Sequence, residues 1–268
     1  STTAIGEYST AIGSYTIASG WWSTAIGDQT TASGTVSTAM GSTTTASGNY
    51  STAMGYNTTA SGINSTAIGR KSVASGYYST TLGYDTKASD FTSTVIGQYN
   101  NSLSSITTNG SATSYDADNT AFVIGNGGFN SDGTYDGHLS NAFEVLFDGT
   151  TTIAGDLNIN SDARLKSNII SLGSTLSKLL QIDGKSYTMK KDESEKQKIG
   201  LLAQDIEKVF PELVSESHGI KSVNYQGLVP VLINALKEQD AMMKEQESKY
   251  LKQEKRLERL ERLVAAMD

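Results

Sequence analysis

Over residues 1–99 the apolar positions keep a fixed beat: alanine, then a residue alternately large and small, then glycine, with threonine and serine between. The glycine recurs every seven residues from Gly6 through Gly83, twelve times, skips at Asp90 and returns at Gly97. Seven suggests a helical heptad, but glycine costs about 1 kcal/mol relative to alanine at each helical position. Threonine, serine and isoleucine favour turns and extended backbone. The beat therefore predicts strands and turns. WWSTAIG (21–27) is followed by DQTTASG (28–34), and TVSTAMG (35–41) by STTTASG (42–48), so two half-repeats alternate and the true period is 14.

Side chains of a strand alternate between its faces. The alanine column (Ala11, Ala18, Ala25, Ala32, Ala39) and the column of Ile26, Met40, Met54, Ile68, Leu82 and Ile96 therefore point to opposite sides. Alanine lines the narrow inside of a coil, with Thr81 and Val95 as late exceptions. The large residues face out, one per coil, and call for burial against other chains; three-fold symmetry suits such a rod. The aromatic residues of this segment, among them Trp21, Trp22, Tyr77 and Tyr78, all fall in the two positions after the glycine slot, which are the turns. Those four are candidates for binding a cell-surface glycan or protein receptor. Ring packing between neighbouring turns is the competing reading. The repeats closely resemble the head repeats of trimeric autotransporter adhesins over residues 2–97. That resemblance implies a left-handed parallel β-roll, a module that also serves as a shaft in phage and virus fibres.

From residue 100 to 160 the beat stops. Polar, turn-rich sequence leads to short apolar strands at 121–125, 142–147 and 150–159, the last two joined by an Asp-Gly turn that signals a hairpin. Three short strands bury little core, which predicts intertwining within a trimer. Asp116, Asp118, Asp132 and Asp136 raise the question of calcium, but no ligand set of recognised spacing is present, and solvated loops are expected. No cofactor motif appears, and His138 reads as a surface residue.

Charge divides the chain at about position 160. Residues 1–160 carry three bases, Arg70, Lys71 and Lys87, against eleven acids, and the remainder carries eighteen bases and seventeen acids. The first part has no basic stripe, which argues against a nucleic-acid partner. No apolar run of about 18 residues exists, so membrane insertion is not expected. The absence of cysteine removes disulfides from the account. Opening inside a repeat at Ser1, the chain reads as the C-terminal part of a longer fibre.

Residues 228–268 predict one long helix. Leu236, Met243, Tyr250, Leu257 and Val264 fill one heptad core position, and Leu232, Gln239, Gln246, Gln253, Leu260 and Met267 fill the other. Glutamine layers cost stability but fix register and oligomer state in a trimeric coiled coil. Between the charge boundary and this helix, residues 161–227 predict an α+β module. Residues 199–214 read as a strand end and a short helix with Leu202, Ile206, Val209 and Phe210 on one face, stopped by Pro211.

Three blocks in this part, SDARLKSNI (161–169), IGLLAQDIEKVFPELV (199–214) and KSVNYQGLVPVLINALKEQ (221–239), closely resemble the endosialidase-type intramolecular chaperones at the C-termini of phage tailspikes and tail fibres. The resemblance implies a module that trimerises the β-fibre ahead of it and then cuts itself off through a serine–lysine dyad, a single-turnover serine endopeptidase without a metal. Carried onto this sequence, Ser161 is the nucleophile, Lys166 its base and Asn160–Ser161 the broken bond. A serine hydroxyl needs a base, and lysine serves only when neutral, which burial and nearby positive charge favour. Arg164 is one candidate for that neighbour. Asn224 and Tyr225 are expected to pack, and His218 to sit in a surface loop.

Together these features imply a mostly β, trimeric fibre followed by an α+β chaperone and a coiled coil, belonging to a phage tail fibre or spike and so to a virion. The alternatives are a bacterial trimeric surface adhesin, which would end in a membrane anchor where this sequence ends in ERLVAAMD, and the shaft of a glycan-degrading tailspike.

Overall fold

The computed structural model describes residues 1–101, 110–128, 134, 137–190 and 197–266. The chain divides into two compact units, Ser1–Asn160 and Ser161–Asp268.

In the first unit the two half-repeats become two kinds of strand. The half carrying the large residue forms five-residue strands (Thr10–Ser14, Thr24–Asp28 and onward to Thr94–Gln98), and the other half forms two-residue strands from Thr3–Ala4 to Lys87–Ala88. Each strand pairs in parallel with its equivalent one full repeat on, as in Ala11↔Ala25, Ile12↔Ile26 and Gly13↔Gly27. The result is a β-solenoid in which each coil is one full repeat, with one sheet of long strands and one of short.

Alanine does line the inside. Ala18, Ala25, Ala32 and their successors to Ala74 are fully buried and form one continuous column. Beside them run fully buried Thr16, Thr30, Thr44 and Thr58, and Ser23, Ser37, Ser51 and Ser65. The alanine column gives way to larger groups toward its C-terminal end, where Thr81, Val95 and Val123 occupy its positions and are fully buried. The opposite column is partly open within a single chain: Ile12 keeps 56% of its surface and Leu82 50%, while Ile26, Met40, Met54 and Ile96 are half-buried.

The glycines are demanded by the approach of successive coils. A Cβ on Gly20 would lie 2.0 Å from the Gly34 carbonyl oxygen, and one on Gly41 2.0 Å from that of Gly55, where the backbone also has φ +120°. Asp90 shows when the demand lapses. Among the described residues the sheet of short strands ends at Lys87–Ala88, the strand just before Asp90. Its carboxylate instead accepts the Thr120 N–H at 2.8 Å. Burial raises this carboxyl above its usual range, and the bond from Thr120 opposes that rise.

The turns hold a feature that no pattern in the sequence announces. The second residue after each glycine slot is left-handed, including Trp22 (φ 52°), Tyr50 (φ 59°) and Tyr78 (φ 60°). That conformation costs a non-glycine residue about 1–2 kcal/mol. From the second coil onward the stack compensates by pairing such N–H groups with a carbonyl one coil back, Trp22 to Glu7 at 2.9 Å and Tyr78 to Ile63 at 2.8 Å.

The three strands after the repeats find backbone partners within this chain. Thr120–Asn126 joins the long-strand sheet in parallel with Thr94–Gln98, in the register Val95↔Val123, Ile96↔Ile124 and Gly97↔Gly125. Asn141–Leu146 and Thr151–Ile153 then add antiparallel. The Asp-Gly turn is present, with Gly149 at φ +88° and the Asp148 carboxylate accepting the Thr150 N–H. Asp116 accepts the Asp118 N–H at 3.0 Å, closing its own turn. Asp132 and Asp136 lie outside the described residues.

The second unit contains helices α1 (Leu176–Leu179), α2 (Ala203–Val209) and α3 (Leu228–Ala265). Two antiparallel hairpins accompany them, Lys185–Tyr187 with Lys198–Gly200 and Val214–Ser217 with Ile220–Val223. Its small core is Ile206, Phe210 and Val231, with Leu179, Ile182, Leu201 and Val209 packed around them. Leu202 departs from the expected helix face: it stands at the N-cap of α2, 44% exposed, and Leu201 takes its place in the core. Only the first two turns of α3 are buried, through Leu228, Val231 and Ala235. The heptad positions Leu236, Met243, Tyr250, Leu257 and Val264 are exposed, and Met267 lies outside the described residues.

Gly41→Ala is expected to destabilise the roll by at least about 4 kcal/mol, read as a collapse of the thermal transition. Gly155→Ala, whose Cβ meets nothing within 4 Å, should leave that transition in place.

Candidate active site

Ser161 and Lys166 flank a tight turn. Asp162 caps it from an extended backbone (φ −62°, ψ 133°), and Ala163–Leu165 form one 3₁₀ turn. The Asp162 and Ala163 carbonyls accept the Leu165 and Lys166 N–H groups, each at 3.1 Å, and Lys166 is extended again at φ −119°, ψ 148°. The chain between them is thereby folded back far enough for the Lys166 Nζ to reach the Ser161 Oγ at 2.7 Å. Both residues are exposed, as is Asn160.

Arg164 stands elsewhere than expected. Its Nε lies 3.1 Å from each carboxylate oxygen of Asp162 and its Nη2 lies 2.6 Å from Oδ2. These bonds hold the Asp162 carboxyl below its usual range and the guanidinium above its own. A cation already neutralised by an adjacent carboxylate does little to discourage a second one nearby, so Arg164 is not the group that would free Lys166 of its proton.

A hydroxyl with an amine in reach, as Ser161 Oγ has Lys166 Nζ, suits acyl transfer when that amine is neutral. In such a step Oγ would attack the Asn160 carbonyl carbon while Nζ accepted the hydroxyl proton. The C–N bond would break as the Ser161 nitrogen took up a proton, and the resulting ester would be opened by water, returning the hydroxyl. Direct attack by water on the same carbonyl would give the same two products.

Asn224, Tyr225 and His218 hold local structure. The Tyr225 Oη accepts the Leu201 N–H at 2.9 Å, and the Asn224 Oδ1 accepts the Gly227 N–H at 3.1 Å. His218 sits at φ +51° in the hairpin turn, its Nδ1 2.9 Å from the Ser217 Oγ. On the roll, the rings of Tyr8 and Trp22 stack 5.9 Å apart and Trp21 meets Trp22 edge-on. Tyr78 meets Phe91 edge-on at 5.5 Å, and Tyr77 is half-buried. Rings thus pack from coil to coil, yet Trp21 and Trp22 keep 56% and 52% of their surface open. Arg70 lies between the Tyr56 and Tyr84 rings, 5.6 and 5.2 Å from their centres.

Glu238 was not foreseen. From α3 it accepts a bond from the Ser174 Oγ at 2.5 Å and others from the N–H groups of Thr175 and Leu176, tying the start of α1 to the long helix. Ser174 and Thr175 look like caps for α1, but the Thr175 hydroxyl donates instead to the Val231 carbonyl at 2.9 Å.

Residues 161–215 match the chaperone of endosialidase family. Segments 1–21, 23–42, 32–58 and 60–86 match the YadA head domain repeat. Among curated proteins, the chain is 33% identical over 125 residues to the long tail fiber protein Gp37 of Enterobacteria phage M1, a match covering 41% of this chain and 49% of that protein. The proteins of the same name from Enterobacteria phage K3 and Escherichia phage AR1 are each 30% identical, over 46% and 34% of this chain and 11% and 9% of their own length. The chain thus spans about half the length of the M1 relative and about a tenth of the others. These relatives are virion components.

Bonds to Glu238 favour its charged form and lower its pKa, so its tie to α1 is complete above the ordinary glutamate range and is lost as pH falls through the lower, folded value. Amide exchange at Leu176, corrected for the intrinsic rate, should accelerate once pH falls below the ordinary glutamate range. In Glu238→Gln that step should vanish.

Proposed function

We propose that this chain is the distal part of a trimeric phage tail fibre whose C-terminal unit brings three chains into register and then releases itself by cutting Asn160–Ser161. The observation that carries the reading is the 2.7 Å approach of Lys166 to Ser161. It falls at the point in the chain where the second compact unit begins and inside the segment matching the chaperone family.

Two open surfaces support assembly. The outward Ile/Met/Leu column of the roll is incompletely covered and the heptad positions of α3 are exposed within one chain, and three copies give both a place to be buried. The order of events follows from topology. A roll whose strands pair from coil to coil in three chains gains little until its register is found, and non-local pairing is slow to nucleate. A helical bundle forms quickly and raises the local concentration of the chains. Cutting it away afterwards leaves the shaft without its easy route back, so its persistence becomes kinetic.

Assembly also answers the question of the base. The turn carrying Lys166 is exposed in one chain, and a neighbouring copy closing over it would desolvate the amine and favour its neutral form. Cleavage then follows trimerisation rather than preceding it. The open rings of Trp21, Trp22 and Tyr78, with Tyr77 beside them, are the surface such a fibre offers to a host glycan or protein receptor. The four-part division at residues 99, 160 and 227 belongs to this same reading.

Ser161→Ala and Lys166→Ala are each expected to slow cleavage at least about a hundredfold, giving one full-length band on a denaturing gel where the parent gives two. Intact mass should place the parent's new terminus at Ser161. Expression of residues 1–160 alone should give insoluble or monomeric shaft; a soluble, heat-resistant trimer would remove the chaperone role.

A further inference from the structure

We propose that Asp162 is a positioning residue for self-cleavage, holding the turn that brings Lys166 to Ser161. This rests on the serine–lysine reading above.

The dyad is built on a very local frame. Residues 161–170 are exposed throughout, so the backbone between nucleophile and base is held in place chiefly by its own bonds. A short free segment and a long, flexible lysine side chain sample many conformations. Few of them put Nζ within reach of Oγ. Asp162 narrows that set from two directions. Its Oδ1 accepts the Arg164 N–H at 2.9 Å, the bond that starts the 3₁₀ turn, and aspartate and asparagine are the residue types best suited to that task. Both of its oxygens also take the Arg164 guanidinium, which locks the carboxylate in the capping orientation. With those oxygens occupied, Asp162 is poorly placed to take the serine's proton itself. Its contribution is the probability that Lys166 and Ser161 meet, and small losses of alignment are costly to intramolecular reactions.

Two substitutions in the full chain separate the cap from the charge. Asp162→Asn loses the charge but keeps an oxygen for the Arg164 N–H. Asp162→Glu keeps the charge but carries it one carbon too far to close the same turn. Cleavage is followed by denaturing gel per assembled trimer, with trimer measured by native mass spectrometry. Asp162→Asn should cleave within about threefold of the parent, and Asp162→Glu about tenfold more slowly than the parent. If the order is reversed, if both cleave at the parent rate or if both are equally slow, the capping role is overturned. Ser161→Ala is run beside them: should it still split at residue 160, the dyad reading itself fails, whatever the two Asp162 variants do.

Discussion

The stack of coils rests on a steric condition at the glycine slots. Successive backbones approach so closely that a single carbon on Gly20 or Gly41 would sit inside the carbonyl oxygen of the next coil. That approach permits the ladder spacing and so aligns every alanine on its equivalent in the coil ahead. It also brings the N–H of Trp22 to the carbonyl of Glu7, and this bond in turn offsets the left-handed backbone at a bulky residue. The interior is left so narrow that alanine, serine and threonine fill it. Such a core buries little apolar surface per residue, and the open column of large residues on the outside is the counterpart of that poverty within.

Much of this was legible because the constraint repeats. A side chain excluded in one coil is excluded in all, so the glycine beat, the inward alanines and the outward isoleucines and methionines appear in the sequence as columns. The long helix was legible for the same reason, its heptad being a second repeat. Features that occur once were harder to see. Glu238 caps a helix that begins far earlier in the chain, and no local pattern announces such a partner. Strand Thr120–Asn126 carried a signal that went unused: Gly125 lies two full periods after Gly97, and Val123–Ile124–Gly125 repeats Val95–Ile96–Gly97. The longer connection between them concealed the phase. The left-handed turns carried a mixed signal: Asn57, Asn64 and Asp85 suit that conformation, but tryptophan and tyrosine in the same column do not, and the bond from Trp22 to the coil behind it is invisible in the sequence.

The Ser161–Lys166 turn was legible in part. A serine and a lysine close in sequence mean little alone, and the blocks downstream gave the pair its meaning. Their contact at 2.7 Å depends on one 3₁₀ turn, which spacing does not reveal. Arg164 shows the limit of arguing from proximity in sequence: it lies next but one to Lys166, but its charge is taken up by Asp162, next but one on the other side.

Asp90 carries a consequence beyond its own coil. Through most of the roll, a chain displaced by one whole repeat against its neighbour would meet the same alanines, the same glycines and nearly the same hydrogen bonds. Periodicity makes such an error almost free of penalty and hard to correct once set. The residues that break the pattern (Thr81, Asp90, Val95) are the marks by which one alignment differs from the next, and they are gathered at the C-terminal end. Information about register is therefore stored where the repeat fails, and an aperiodic assembly module following that end lies where the misalignment can still be recognised.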